Sequence, residues 1–246
     1  MKTKLFILLL IAGMMTYTYA ETVRIMPLGD SITYDDSYAD HPHARPASLR
    51  HGYRNYLWYK LTDMHYDVNF VGTRSAGSAI RPSFNPYNDG YPGATSNDIA
   101  GIVYNRLSRT SPDIVLLYIG ANDWSSSTRG VDNILDEIDR YEDDEGHHVK
   151  VILARIANRQ KHYSWMTNFN RNLQALANSR IKNGDDIYVV DMEYGAGINY
   201  ARDFQDPTHP NNTGYKKIAE VWFKAIKYVI KEDDYAWLIP IYNISL

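Results

Sequence analysis

Short apolar runs alternate along this chain with longer stretches whose apolar residues recur at helical spacing, and this alternation limits the fold more than any other feature. Residues 23–28, 68–71, 114–119, 149–156 and 187–192 read as strands. The run 114–119 is apolar almost throughout, as a strand covered on both faces should be. Residues 53–64, 97–107, 131–141, 164–182 and 214–230 read as helices. In the first of these, Tyr53, Tyr56, Leu57, Lys60, Leu61 and Met64 share one face. Thr95 or Ser96 is placed to cap the second, Gly146 to close the third, and Asn183 with Gly184 the fourth. A β-α-β-α order of this kind predicts a parallel, doubly wound sheet with helices on both faces.

The first 20 residues read as a secretory signal. Lys2 and Lys4 precede the apolar residues 5–15, and Thr18 and Ala20 put small side chains where a signal peptidase reads them. The apolar stretch falls short of the about 20 residues that span a bilayer. A secreted or periplasmic chain without stable membrane insertion is therefore expected. Residues 21–232 then form one domain, a usual length for an α/β unit. Residues 233–246, which end in YAWLIPIYNISL, are expected to pack on that domain as a tail.

Loss of Lys2 and Lys4 shifts the formal net charge from −3 to −5, which argues against nucleic acid as a partner. The absence of cysteine excludes disulfides and a lipid-modified cysteine. The 21 tyrosines suit sugar stacking, and equally suit a core and rim built from amphipathic side chains. The sequence leaves the oligomeric state undetermined.

The strand 23–28 ends in Gly29-Asp30-Ser31. In open α/β sheets ligands bind beyond the carboxyl ends of the strands, and Ser31 lies at such an end. A serine hydroxyl is a poor nucleophile until a base takes its proton, and the base is usually a histidine oriented by a carboxylate. Of the eight histidines, His41 and His43 lie in a long loop, His147 and His148 adjoin an acidic turn, and His51, His65 and His162 lie in or near helical patterns. His209 lies in DFQDPTHPNNTGY, after the last strand and before the last helix. Asp206 stands three residues earlier, with Pro207 and Pro210 stiffening the loop. Alone, DPTH reads as a helix-capping turn. With Ser31 it gives the chain order Ser, Asp, His.

Acyl transfer also needs donors aimed at the developing oxyanion. Asn122 in YIGANDW offers a side-chain amide, and Gly93 in DGYPGATSND offers an unshielded N–H. Both also fit ordinary turn chemistry. Asp30 and Asp123 read as residues that hold their turns, and Arg54 as a helix-surface or loop-anchoring residue. Residues 34–50 and 75–92 have no periodic pattern, and loops of that length are often functional. Asp35, Asp36, Asp40, His41 and His43 in the first loop lack metal-ligand spacing. They read as a solvated acidic loop, and no metal or cofactor is expected.

GDSIT, GYPG, GAND and DPTHPNNTGY occur in the order and rough spacing of the SGNH hydrolases, also called the GDSL family, and span residues 25–215. The ordered set resembles that family far more specifically than any one piece. The resemblance implies a three-layer α/β/α sandwich with a five-stranded parallel, flavodoxin-like sheet. It implies Ser31 as nucleophile, His209 as base and Asp206 as its orienting carboxylate. It also implies an oxyanion hole made by the N–H groups of Ser31 and Gly93 and the amide of Asn122. A finer likeness, in RIMPLGDSIT, HGYRNYLWYKL and VNFVGTRSAG, is to carbohydrate esterase family three, which includes acetylxylan esterases. Around the glycine of its second block that family usually carries histidines and a tryptophan. Asn88, Asp89, Tyr91, Pro92 and Ala94 stand here instead, a departure in the expected substrate wall, to which Tyr34, Tyr91 and Trp124 are also assigned.

The resulting expectation is a serine esterase that removes acetyl groups from a polysaccharide or a small ester. An SGNH esterase for lipid-like acyl groups and a non-catalytic carbohydrate-binding protein are the alternatives. Polar, tyrosine-rich loops favour the first.

Overall fold

The computed structural model describes residues 22–41 and 43–236. The expected signal, residues 1–20, and the tail beyond residue 236 lie outside them. Seven strands form one sheet: β1 (Val23–Gly29), β2 (Val68–Phe70), β3 (Arg74–Ser75), β4 (Tyr87–Gly90), β5 (Ile114–Tyr118), β6 (Lys150–Arg155) and β7 (Ile187–Asp191). Among the described residues seven α-helices lie between and after them: α1 (Ser31–Tyr34), α2 (Arg54–Asp63), α3 (Ser96–Ala100), α4 (Val103–Thr110), α5 (Arg129–Glu145), α6 (Ser164–Asn183) and α7 (Asn212–Ala236).

The five expected strands are present and parallel, in the order β2-β1-β5-β6-β7. Every residue of β5 is buried, in keeping with helices on both faces. Helix α2 packs on α7, joined by an ion pair between Lys60 and Glu220 at 2.7 Å. Helices α3 and α4 pack on α5, whose Asp136 meets Arg180 of α6 at 2.9 Å.

The sheet is larger than the predicted five strands. β4 lies parallel to the end of β1, Leu28 facing Asp89 and Gly29 facing Gly90, and β3 runs antiparallel to β4. Both arise around the segment 75–92 that carries no pattern. Asn88 and Asp89 are fully buried, which an apolar-run reading of strands cannot anticipate. Their polar groups are satisfied locally: Asp89 accepts from Thr73 N–H at 3.0 Å, from the Thr73 hydroxyl and from the Tyr91 hydroxyl, and Asn88 accepts from Gly90 N–H.

The predicted helix 97–107 is two helices, α3 and α4, broken at Gly101 and Ile102. Thr95 caps α3 through a reciprocal pair with Asp98. Helix α7 outruns its expected end and continues to Ala236. No described helix is long and apolar enough to cross a membrane.

Candidate active site

β1 stops because of its neighbours. A Cβ on Gly29 would lie 2.2 Å from the Tyr118 carbonyl oxygen and 2.6 Å from Thr33 Oγ1, so only glycine fits. The chain turns at once into α1. Asp30 caps that short helix by accepting from Ile32 N–H at 2.9 Å, and Asp35 closes it in the left-handed region at φ 72°. Asp30 is 1% exposed. Burial pushes its carboxyl up to about 6, against the pull of Ile32 N–H and of His209. Ser31 is the first residue of α1 and stands above the carboxyl edge of the sheet.

The loop between β7 and α7 brings the imidazole to it. Ser31 Oγ lies 3.0 Å from His209 Nε2. His209 Nδ1 lies 3.0 and 2.9 Å from the two carboxylate oxygens of Asp206. With its proton on Nδ1, donated to Asp206, His209 keeps Nε2 as an acceptor for the serine hydroxyl. Three backbone N–H groups fix the carboxylate: Tyr38 at 2.9 Å, Thr208 at 2.8 Å and His209 itself at 2.8 Å. Burial opposes the charge on Asp206. Hydrogen bonds from His209 and Thr208 outweigh it and hold the carboxyl at about 2. The Tyr38 ring meets the imidazole edge-on, with centroids 5.0 Å apart. A short β-bridge between Phe204 and Pro210 closes the loop.

Ser31, Gly93, Asn122 and His209 line one cleft of about 230 Å³. Gly93 has φ 79°, and a Cβ there would meet open space, so glycine is required by backbone conformation and not by crowding. Asn122 Nδ2 donates to the Ala94 carbonyl at 3.0 Å, which orients the amide toward the Gly93 turn. Among the described residues, neither Ser31 N–H nor Gly93 N–H has a hydrogen-bond partner. Such an array can offer an activated hydroxyl on one side of a carbonyl and donors to its oxygen on the other. Larger grooves, of about 400 Å³ beside β7 and α7 and about 520 Å³ at the turn between α5 and β6, place no serine beside a histidine.

Of the expected wall residues, Pro92 lines this cleft, whereas Tyr34, Tyr91 and Trp124 lie outside its lining. Tyr34 and Tyr91 flank the Arg74 guanidinium, 4.6 and 5.0 Å from their ring centroids. Trp124 lies over Arg159. Beside Pro92 the lining holds Asp36, Ser37, Tyr38, His41 and Thr208. Tyr38 and Thr208 join the site without having been singled out by any sequence motif of their own. Thr208 carried a signal, being inside DPTH, whereas Tyr38 is recruited through contacts with residues 168 or more positions away. The acidic loop is not merely solvated: Asp35 and Asp40 pair with Arg45 at 3.1 and 2.7 Å, and Arg50 pairs with Asp36 and Asp40. Arg54 is fully buried and anchors loops by donating to the carbonyls of Thr33, Ala76, Pro86, Tyr34 and Arg50. Asp123 holds Ser96 through its N–H at 2.8 Å and its hydroxyl at 2.5 Å.

Residues 25–222 match the model of the GDSL-like lipase/acylhydrolase family. The chain belongs to that family. By its description that family comprises lipases and acylhydrolases. A multidomain esterase of Ruminococcus flavefaciens is 32% identical over 247 aligned residues, which cover 87% of this chain and 30% of the relative. The GDSL chain thus spans under a third of the length of that protein. Among solved structures, a family 3 carbohydrate esterase of Clostridium thermocellum is 26% identical, with a TM-score of 0.67 over 83% of this chain and 94% of its own. A carbohydrate esterase family 3 protein of Talaromyces cellulolyticus, 23% identical, shares the fold with a TM-score of 0.70 over 85% of this chain and 99% of its own.

Proposed function

We propose that this protein is a serine acetylesterase acting on acetylated polysaccharide, with Ser31 as nucleophile, His209 as general base and Asp206 as the group that orients it. The continuous hydrogen-bonded run from Ser31 Oγ through His209 to Asp206, at the mouth of a small cleft, carries the reading.

Ser31 Oγ attacks the ester carbonyl while His209 Nε2 takes its proton. Asp206 stabilises the imidazolium formed and itself stays ionised. The N–H groups of Ser31 and Gly93 and the amide of Asn122 receive the negative oxygen of the tetrahedral intermediate. His209 returns the proton to the departing sugar oxygen, leaving an acetyl-Ser31 ester. Water, activated by the same imidazole, releases acetate and restores the hydroxyl.

Two features support a small acyl group. The cleft, at about 230 Å³, is below the roughly 300–1,000 Å³ usual for larger ligands. Asp36, Ser37 and Thr208 place polar groups in its lining, where a long alkyl chain needs apolar walls. The named likenesses to carbohydrate esterases favour a sugar as the alcohol. We further infer that the chain is exported, supported by the basic start and short apolar stretch of residues 1–20.

Release of acetate from acetylated xylan, glucomannan and pectin, measured beside the Ser31→Ala protein, tests the reading. Acetate from at least one polymer with the wild type and none with Ser31→Ala is expected. Absence of acetate from all three would overturn the polysaccharide assignment.

A further inference from the structure

We propose that Trp124 is a stacking platform for a pyranose ring of the glycan that carries the ester, beside the cleft and outside it; this deepens, and rests on, the esterase reading above. Trp124 is 59% exposed, which leaves a large apolar ring in water. Its backbone sits at φ 49°, a left-handed conformation that bulky side chains rarely adopt. Strain of this kind persists where surrounding structure enforces it, and it clusters at ligand sites. Burial does not account for it here, since the side chain is exposed.

The enforcing contacts are visible. The Arg159 guanidinium lies 4.3 Å from the Trp124 ring centroid and covers one face. Trp165 and Tyr163 brace the ring at centroid distances of 5.8 and 6.0 Å. Arg159 is 7% exposed and donates to the Ala121 carbonyl at 3.0 Å. The next residue, Gln160, donates its N–H to the Pro207 carbonyl at 3.0 Å. The seat of Trp124 is therefore tied to the loop bearing Asn122 and to the loop bearing Asp206 and His209. The ring is braced by these neighbours, more than half exposed, and two residues along the chain from Asn122, which lines the cleft.

Cleft volume and local chemistry name the occupant. About 230 Å³ holds an acetyl group and the atoms nearest it, so the rest of a polymeric substrate lies on the surface around the mouth. A flat aromatic face left open to water matches the C–H groups that a sugar ring offers on its own face. An acyl chain would need a continuous apolar track.

Binding can be measured without turnover. Calorimetric titration of the Ser31→Ala protein with acetylated oligosaccharides from xylan, glucomannan and pectin would be repeated after adding Trp124→Ala, Trp124→Gly or Trp124→Phe. Glycine relieves the positive φ, so Trp124→Gly removes the ring without adding strain. Affinity about tenfold lower for the Ala and Gly variants is expected, with Phe within about threefold of the parent. The Gly variant should melt no lower than its parent. Equal affinity in all four proteins, or binding of none of the three oligosaccharides by the parent, would overturn the platform. So would affinity losses matched by lower melting temperatures in both the Ala and the Gly variants. If Ser31→Ala binds through Trp124 while the wild type releases no acetate from the same oligosaccharide, the esterase reading fails and the platform stands.

Discussion

In the proposed mechanism the hydroxyl of Ser31 becomes a nucleophile through the 3.0 Å contact to His209 Nε2, and that contact depends on which ring nitrogen holds the proton. Asp206 makes the choice, because an ionised carboxylate can only accept. Asp206→Asn keeps the shape and presents an amide that also satisfies the other tautomer. Its kcat on an acetate ester should fall roughly 10³–10⁴-fold, with little change in KM. The proposed mechanism places Asn122 on the other side of the carbonyl. Asn122→Ala should lower kcat about 10²–10³-fold, the usual cost of one oxyanion donor. Steady-state kinetics of both variants check the assignment, and a rise in KM at unchanged kcat would instead assign Asn122 to ground-state binding.

Elements place these residues, and the placement was unevenly legible. The five parallel strands announced themselves because both their faces are covered, which demands apolar runs. β3 and β4 gave no such signal, since Asn88 and Asp89 are buried by hydrogen bonding and not by hydrophobicity. The break between α3 and α4 falls at a glycine that one continuous helical pattern absorbed. Ser31, Gly93 and Asn122 could be picked out because each follows a strand end within a few residues, and Asp206 with His209 because they stand three apart in the loop before α7. Tyr38 was not, because only the folded loop brings its N–H to Asp206. The turn after β1 leaves no room for a side chain. Gly29→Ala forces a methyl against the β5 backbone and should destabilise by about 1–3 kcal/mol or more. Thermal unfolding beside wild type checks this, and an unchanged melting temperature would show that β1 and β5 can separate freely.

On the scale of the whole molecule, the carboxyl edge of the sheet gathers groups that follow β1, β4, β5 and β7 into one cleft. That convergence explains why the family match runs from residue 25 to residue 222 and not over one motif. Global stability reports the charges buried there. Asp30 is pushed up to about 6 from an ordinary 3.8. The folded state therefore holds its proton more tightly than the unfolded chain. The benefit is full below about pH 4 and is lost as pH rises through 6. Asp30→Asn retains an acceptor for Ile32 N–H and removes the buried charge. Its melting temperature should exceed that of wild type at pH 8, with the gain gone at pH 4. A gain of equal size at both pH values would mean that the charge is not the cause.

Hydrolysis of 4-nitrophenyl acetate, butyrate and octanoate by the wild type and by Ser31→Ala tests the proposed serine esterase for a small acyl group. A kcat/KM that falls steeply from acetate to octanoate, and is abolished by Ser31→Ala, is the predicted result. A kcat/KM that rises with chain length, or activity that survives loss of the Ser31 hydroxyl, would contradict the account.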